Sequence, residues 1–237
     1  MRYVISDIHG CYDQYIELLK KINFSEKDIL YILGDAMDRG SEPIKVIQDI
    51  MQRTNVNYFV GNHDYYVVCL AKRILDDTRN NRKESTLSSE EWMDYRFWMK
   101  DGGEITFAQL EKLSYEEQEA VFTFIENSSV YDLIEAEGKK YILSHAGIDN
   151  FSEEKGLEEY DFVDFIEGRM NYDKRYYSDE NTFIVSGHTP TPFIRKDHKP
   201  LVYQGNGHIA IDCGCAYGGQ LAAYCIETEE VVYVNGR

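Results

Sequence analysis

No run in these 237 residues approaches the ~18 consecutive apolar residues of a membrane-spanning helix, so no membrane role is expected. Apolar strand-like sequence begins at residue 2 or 3, which leaves no signal peptide, and a cytoplasmic location is the expectation. Cysteine is scarce: five residues are scattered at positions 11, 69, 213, 215 and 225, an odd set that fits reduced thiols better than a disulfide framework. Cys213 and Cys215 flank a glycine at a spacing that would point both the same way from a strand, and small core thiols are their expected role. Positive charge is also short. Lys and Arg number 25 against 42 Asp and Glu, a net charge of −17 that repels polyanions at long range and disfavours nucleic acid as a partner. A phosphorylated protein or a small phosphoester can still bind, provided metal ions or a few placed arginines overcome that field. No internal repeat or low-complexity segment is present.

What is there is enough for a core. Apolar residues make up 43% of the chain and aromatics 14%, consistent with one α/β domain over residues 1–237. The first unit alternates strand and helix. Apolar runs at 2–6, 29–33 and 57–60 read as strands, with helices between them carrying Tyr15, Ile16, Leu19 and Ile22, then Ile44, Ile47, Ile50 and Met51. Ser41 is the expected cap of the second helix, with Pro43 in its first turn. Residues 65–128 read as a helical cap, with Val67, Leu70, Ala71, Ile74 and Leu75 as a core stripe. Ser88 with Glu91 and Ser114 with Glu117 match the capping-box spacing, and the polar stretch 76–90 is expected to be a mobile loop. The last hundred residues look β-rich, with a hairpin expected across Gly205-Asn206-Gly207.

A polar cluster follows each of the first three strands: Asp7-Ile8-His9-Gly10, Gly34-Asp35-Ala36-Met37-Asp38-Arg39-Gly40 and Gly61-Asn62-His63-Asp64. Asp7, Asp35 and Asn62 are spaced 28 and 27 residues apart, about one strand–helix repeat. Right-handed crossovers would bring all three to one sheet edge. Of six histidines, His9, His63, His145 and His188 each follow a strand beside glycine, whereas His198 and His208 fall in expected loops. Imidazoles with carboxylates suit manganese, iron or zinc. So many donors suit two divalent ions ~3.5–4 Å apart, with Asp35 as the natural bridge. His63 beside Asp38 suits protonation of a leaving oxygen, and Arg39 suits bidentate grip on phosphate.

These motifs, with Ser144-His145-Ala146-Gly147 and Gly187-His188-Thr189, resemble those of the phosphoprotein phosphatase family within the calcineurin-like metallophosphoesterases. The resemblance implies a mixed β-sandwich flanked by α-helices, and two metal ions, with manganese favoured and iron or zinc compatible. It assigns Asp7, His9 and Asp35 to one ion and Asp35, Asn62, His145 and His188 to the other. His63 is implied as general acid with Asp38 as its partner, and Arg39 as a phosphate ligand. A second phosphate arginine is expected between the last two histidines: Arg169, with Arg175 in reserve. The sequence departs from the family pattern at Ser6, usually glycine, and at Asp64, usually glutamate in the related protein phosphatases. Pro190 stands where nuclease-like relatives carry another histidine. The implied activity is metal-dependent phosphomonoester hydrolysis by in-line attack of a metal-bridging hydroxide, directed at phosphoserine and phosphothreonine, a reading Asp38 favours. The alternative is hydrolysis of dinucleoside polyphosphates, since bacterial symmetrical dinucleoside tetraphosphatases are similar too, including residues 98–106 with Gly102-Gly103. A non-catalytic module that binds phosphorylated partners is disfavoured, because a degenerate site should have lost ligands or the acid.

Overall fold

The computed structural model describes residues 1–236. Strands β1 (Arg2–Ile5), β2 (Ile29–Ile32) and β3 (Val56–Tyr58) lie parallel and carry apolar residues on both faces. Ile5, Leu30 and Ile32 pack towards the helices, while Val4 and Tyr31 face the other way. Helices α1 (Tyr12–Lys21) and α2 (Pro43–Met51) make the crossovers, burying Tyr15, Leu18, Ile44 and Ile47. Ser41 does not cap α2. Glu42 holds the N-cap position with no side-chain cap bond, because its backbone N is tied to Gly10 O at 3.0 Å and the helix opens one residue later, on Pro43.

The first sheet is completed by β9 (Gln220–Cys225) and β10 (Val231–Asn235), in the order β10-β9-β1-β2-β3. The second contains β4 (Tyr131–Ala136), β5 (Lys139–Ser144), β6 (Thr182–Ser186), β7 (Tyr203–Gly205) and β8 (His208–Ala210), in the order β4-β5-β6-β8-β7. Pairs β5–β6 and β6–β8 are parallel, and β7–β8 is an antiparallel hairpin turning on Asn206 and Gly207, both with positive φ. Val4, Leu33 and Phe59 of one sheet meet Leu143, Val185 and Ile209 of the other in a shared core. The result is a mixed β-sandwich flanked by helices.

The middle of the chain is helical: α3 (Asn62–Tyr66), a π turn (Val67–Ala71), α4 (Lys72–Arg79), α5 (Ser89–Trp98), a second π turn (Met99–Gly103), α6 (Glu104–Leu110) and α7 (Tyr115–Glu126). Ser88 and Ser114 accept from the backbone N of Glu91 and Glu117, both at 3.2 Å, completing the expected capping boxes. The stretch 76–90 is more ordered than a free polar loop. Helix α4 runs into it, and the Asp77 carboxylate accepts from Thr86 N at 2.6 Å and from the Ser85 and Thr86 hydroxyls at 3.1 Å. Two short helices, α8 (Phe162–Ile166) and α9 (Thr191–Ile194), flank β6 in sequence.

Two further expectations are corrected. Cys213 and Cys215 do not point the same way, because Gly214 between them is left-handed (φ +71); Cys213 joins the inter-sheet core and Cys215 the helix-side core. His208 is not a loop residue. It opens β8, is buried, and its Nε2–H donates to Lys174 O at 2.8 Å.

Candidate active site

The carboxyl ends of β1, β2, β3, β5 and β6 deliver Asp7 and His9, Asp35, Asn62 and His63, His145, and His188 to one edge. Backbone hydrogen bonds stitch these loops together: His9 N to Asp35 O at 2.9 Å, Gly10 N to Ala36 O at 2.9 Å, and Gly187 N to His145 O at 2.8 Å. A Cβ at Gly61 would collide with the Asp35 carboxylate, so only glycine lets β3 approach so closely. Six non-glycine residues here are left-handed: Asp7 (φ 53°), His9 (44°), Asp35 (53°), Asp38 (69°), Arg39 (62°) and His188 (63°). Such backbone is uncommon outside glycine and clusters at functional sites.

The donor atoms are arranged to meet a cation. His9 Nδ1–H donates to Met37 O at 2.7 Å and His145 Nδ1–H to Leu33 O at 2.6 Å, which fixes both tautomers and leaves each Nε2 a lone pair. Asp35 Oδ2 lies 3.5 Å from both of those nitrogens, while its Oδ1 accepts from His63 N at 3.0 Å. Asn62 Oδ1 stands 3.1 Å from His145 Nε2 and 3.0 Å from His188 Nδ1, and His188 Nε2 is buried without a partner. Burial keeps the rings neutral: it lowers His9 well below the usual range with help from Arg39, lowers His145, and takes His188 down to about 2. Burial also raises the Asp7 carboxyl to about 6 and lifts Asp35. A cation, rather than a proton, is what reconciles neutral lone pairs facing acceptors. Ligand atoms of Asp7, Asp35 and His145 all lie within 4.8 Å of one another, as do those of His9, Asp35 and His63.

Beside this cluster, His63 Nδ1–H donates to Asp38 Oδ2 at 2.6 Å. Burial alone would lower the His63 pKa, but the Asp35 charge, with Asp101 and Asp38, raises it to about 10. Arg39 Nη2 donates to Asp101 Oδ2 at 2.9 Å and stands 2.8 Å from His63 Nε2, while Nη1 donates to His9 Nε2. The Arg39 guanidinium lies 5.1 Å from the Tyr217 ring centroid. Arg169 Nη1 donates to Thr189 Oγ1 at 3.0 Å, and Arg169, Arg39 and His188 all line one cavity of about 550 Å³. Arg175 is elsewhere. Its Nε donates to Tyr177 O at 2.9 Å and its Nη2 to Asp179 O at 2.9 Å, so it braces a loop and is withdrawn as the reserve phosphate ligand.

Several residues take roles at the site that were not assigned to them from the sequence, although Ser6 and Asp64 stood out there as departures and 98–106 as a shared segment. Asp64 Oδ2 accepts from Asp35 N at 2.8 Å, Gly61 N at 2.9 Å and Tyr58 OH at 2.7 Å, holding two strand ends in place. Ser6 Oγ sits between Asp7 Oδ2 and Leu33 O. Asp101 and Trp98 reach in from the helical middle, and Thr106 Oγ1 accepts from Asp38 N at 2.9 Å. Asp212 is buried beyond β8, where burial and Asp7 raise its carboxyl. Asp64 and Asp212 carried a usable signal, an acidic residue soon after an apolar strand.

Residues 2–220 match the sequence profile of the calcineurin-like phosphoesterases. A symmetrical bis(5'-nucleosyl)-tetraphosphatase from Buchnera aphidicola subsp. Acyrthosiphon pisum (strain 5A) is 35% identical over 100 residues, 41% of this chain and 36% of that protein, so the match spans little more than a third of that relative's length. The asymmetrical bis(5'-nucleosyl)-tetraphosphatase PrpE of Bacillus subtilis (strain 168) is 26% identical over 98% of this chain and 93% of its own. Among solved structures, one provisionally assigned as a diadenosine tetraphosphatase superposes with a TM-score of 0.65 at 17% identity, covering 100% of this chain and 93% of the other. A protein serine/threonine phosphatase from Saccharomyces cerevisiae reaches 0.63 at 13% identity, covering 100% and 79%. By its profile and its fold, the chain belongs to the calcineurin-like phosphoesterase family.

Proposed function

We propose that this chain is a metal-dependent hydrolase of dinucleoside polyphosphates. The observation that carries the reading is the pair of guanidiniums, Arg39 and Arg169, lining the same cavity as His188 at the edge of the ligand cluster. Each fork can grip two phosphate oxygens, and the cavity they share runs on past His188 to Phe193 and Tyr217, which leaves room beyond a single phosphate. Similarity along the whole chain to a named bis(5'-nucleosyl)-tetraphosphatase supports it.

Asp7, His9 and Asp35 would hold one divalent ion, and Asp35, Asn62, His145 and His188 the other; such ions supply Lewis-acid polarisation and an activated water. Arg39 and Arg169 orient the phosphate under attack. His63 is the general acid. The charges of Asp35, Asp101 and Asp38 favour a proton on His63 Nε2, and Arg39, drawn to phosphate, leaves that nitrogen free to face the departing oxygen. The proton passes to the departing phosphate oxygen, while Asp38 keeps the ring aligned.

Phosphoserine and phosphothreonine hydrolysis is the second reading, supported by the Asp38–His63 pair. The deciding experiment is kcat/KM on diadenosine tetraphosphate and on a phosphopeptide, side by side with manganese. A clear preference for the dinucleotide is expected, and a preference for the phosphopeptide reverses the ranking.

A further inference from the structure

We propose that Phe193 divides two nucleoside subsites, so that a dinucleoside polyphosphate lies with its phosphates across Arg169 and one base against each side of the phenyl ring. This rests on the dinucleotide reading above and extends it to how the two ends of the substrate are held.

Two cavities adjoin at this residue. The first, about 550 Å³, holds Arg39, His188 and Tyr217; the second, about 460 Å³, holds Asn171, Asp173 and Thr189. Arg169 and Phe193 line both. Each volume falls in the range of small-molecule sites. Phe193 is 82% exposed, more than any other large apolar side chain described, and makes no ring contact among the described residues.

That exposure is not a loose tail. Phe193 sits in the four-residue helix α9, with Pro190 before it and Pro192 beside it, where fixed φ angles limit the backbone. Phe193 N donates to Pro190 O at 2.9 Å, and Thr191 N to Asp212 O at 2.8 Å, which ties the turn to the strand end behind the ligand cluster. The ring is therefore presented five residues beyond His188 on a braced turn. An apolar ring kept in water beside two phosphate-binding guanidiniums matches a ligand that joins π faces to phosphates, namely a nucleotide. The second lobe argues for a second nucleoside. Asp173 in its lining disfavours further phosphate there and suits hydroxyl or amino donors of a ribose or base. A phosphorylated side chain would leave this lobe unused.

The test is steady-state kinetics with manganese on diadenosine tetraphosphate and on an aryl phosphate, for the wild type, Phe193→Ala and Phe193→Trp. The ratio of kcat/KM for the dinucleotide to that for the aryl phosphate should fall about tenfold in Phe193→Ala, ~1.4 kcal/mol, mainly through KM, and should recover in Phe193→Trp. A ratio unchanged in Phe193→Ala, or a loss that tryptophan does not restore, overturns the stacking role and leaves the dinucleotide reading intact. Wild-type protein that cleaves aryl phosphate but not diadenosine tetraphosphate overturns that reading, and the subsites with it.

Discussion

The Trp98 indole donates to the Asp38 carboxylate at 2.6 Å, across 60 residues of chain, on the same oxygen that accepts from His63. Asp38 is fully buried and its other oxygen has no partner. The helical middle therefore holds the carboxylate that aligns the proposed acid. Trp98→Phe keeps an aromatic ring, removes the donor and leaves a small void in the core. It should cost about 1–3 kcal/mol in urea unfolding, and lower kcat on an aryl phosphate while leaving KM near its wild-type value. A variant with full kcat would show that Asp38 holds His63 without the indole.

Asp35 Oδ2 stands equally far from His9 Nε2 and His145 Nε2. With manganese at about a hundred times its dissociation constant, the wild type should gain about 2.7 kcal/mol of stability by mass action, and a chelator should remove it. Asp35→Asn should fold, lose most of that gain and lose manganese-dependent aryl phosphate hydrolysis. Hydrolysis that survives either the substitution or the chelator contradicts the dinuclear assignment.

Arg169 and Arg175 lie six positions apart and should behave oppositely. Arg169→Ala should lower kcat/KM on diadenosine tetraphosphate by roughly 10- to 100-fold, the loss of charge-assisted hydrogen bonds, with little change in melting temperature. Arg175→Ala strips donors from Tyr177 O, Asp179 O and Thr182 O, so it should destabilise the protein and spare kinetics per folded molecule. Reversed results would exchange their roles.

Asp77 organises the segment beyond α4 through Thr86 and Ser85. The bond from Thr86 N holds its carboxyl below the usual range, so its contribution is complete above about pH 4 and is lost as pH falls through that depressed value. Limited trypsin digestion at pH 7 should therefore cut Asp77→Ala after Arg82 or Lys83 faster than wild type. Equal rates would mean that the segment is ordered by something else.

What repeats or stays local was legible in the sequence. Asp7, Asp35 and Asn62 end three parallel strands at nearly equal intervals, and each serine capping box closes within four residues. What depends on one distant turn was not. Asp101 reaches Arg39 because the second π turn kinks the chain at Gly102, whose φ of +105° and position against Arg39, where a Cβ would come within 2.7 Å of the Arg39 backbone N, suit only glycine. Gly102-Gly103 was visible as a motif, but the direction in which it sends the chain was not. Asp64 was read only as a departure from glutamate, since its value lies in two backbone N–H groups and a phenol that only the fold brings to it. Cys213 and Cys215 are core thiols as expected, but a single left-handed glycine turns them to different cores.

The six left-handed residues of the site bear on how this protein can be diversified. Asp, Asn, His and Gly tolerate that backbone best, and β-branched side chains least. A library that randomises Asp7, His9, Asp35, Asp38, Arg39 and His188 would thus be sieved first by backbone shape and only then by chemistry. Survivors at these positions should be enriched in asparagine and glycine even where catalysis is lost, which makes Asn substitutions the gentlest inactive forms for capturing substrates.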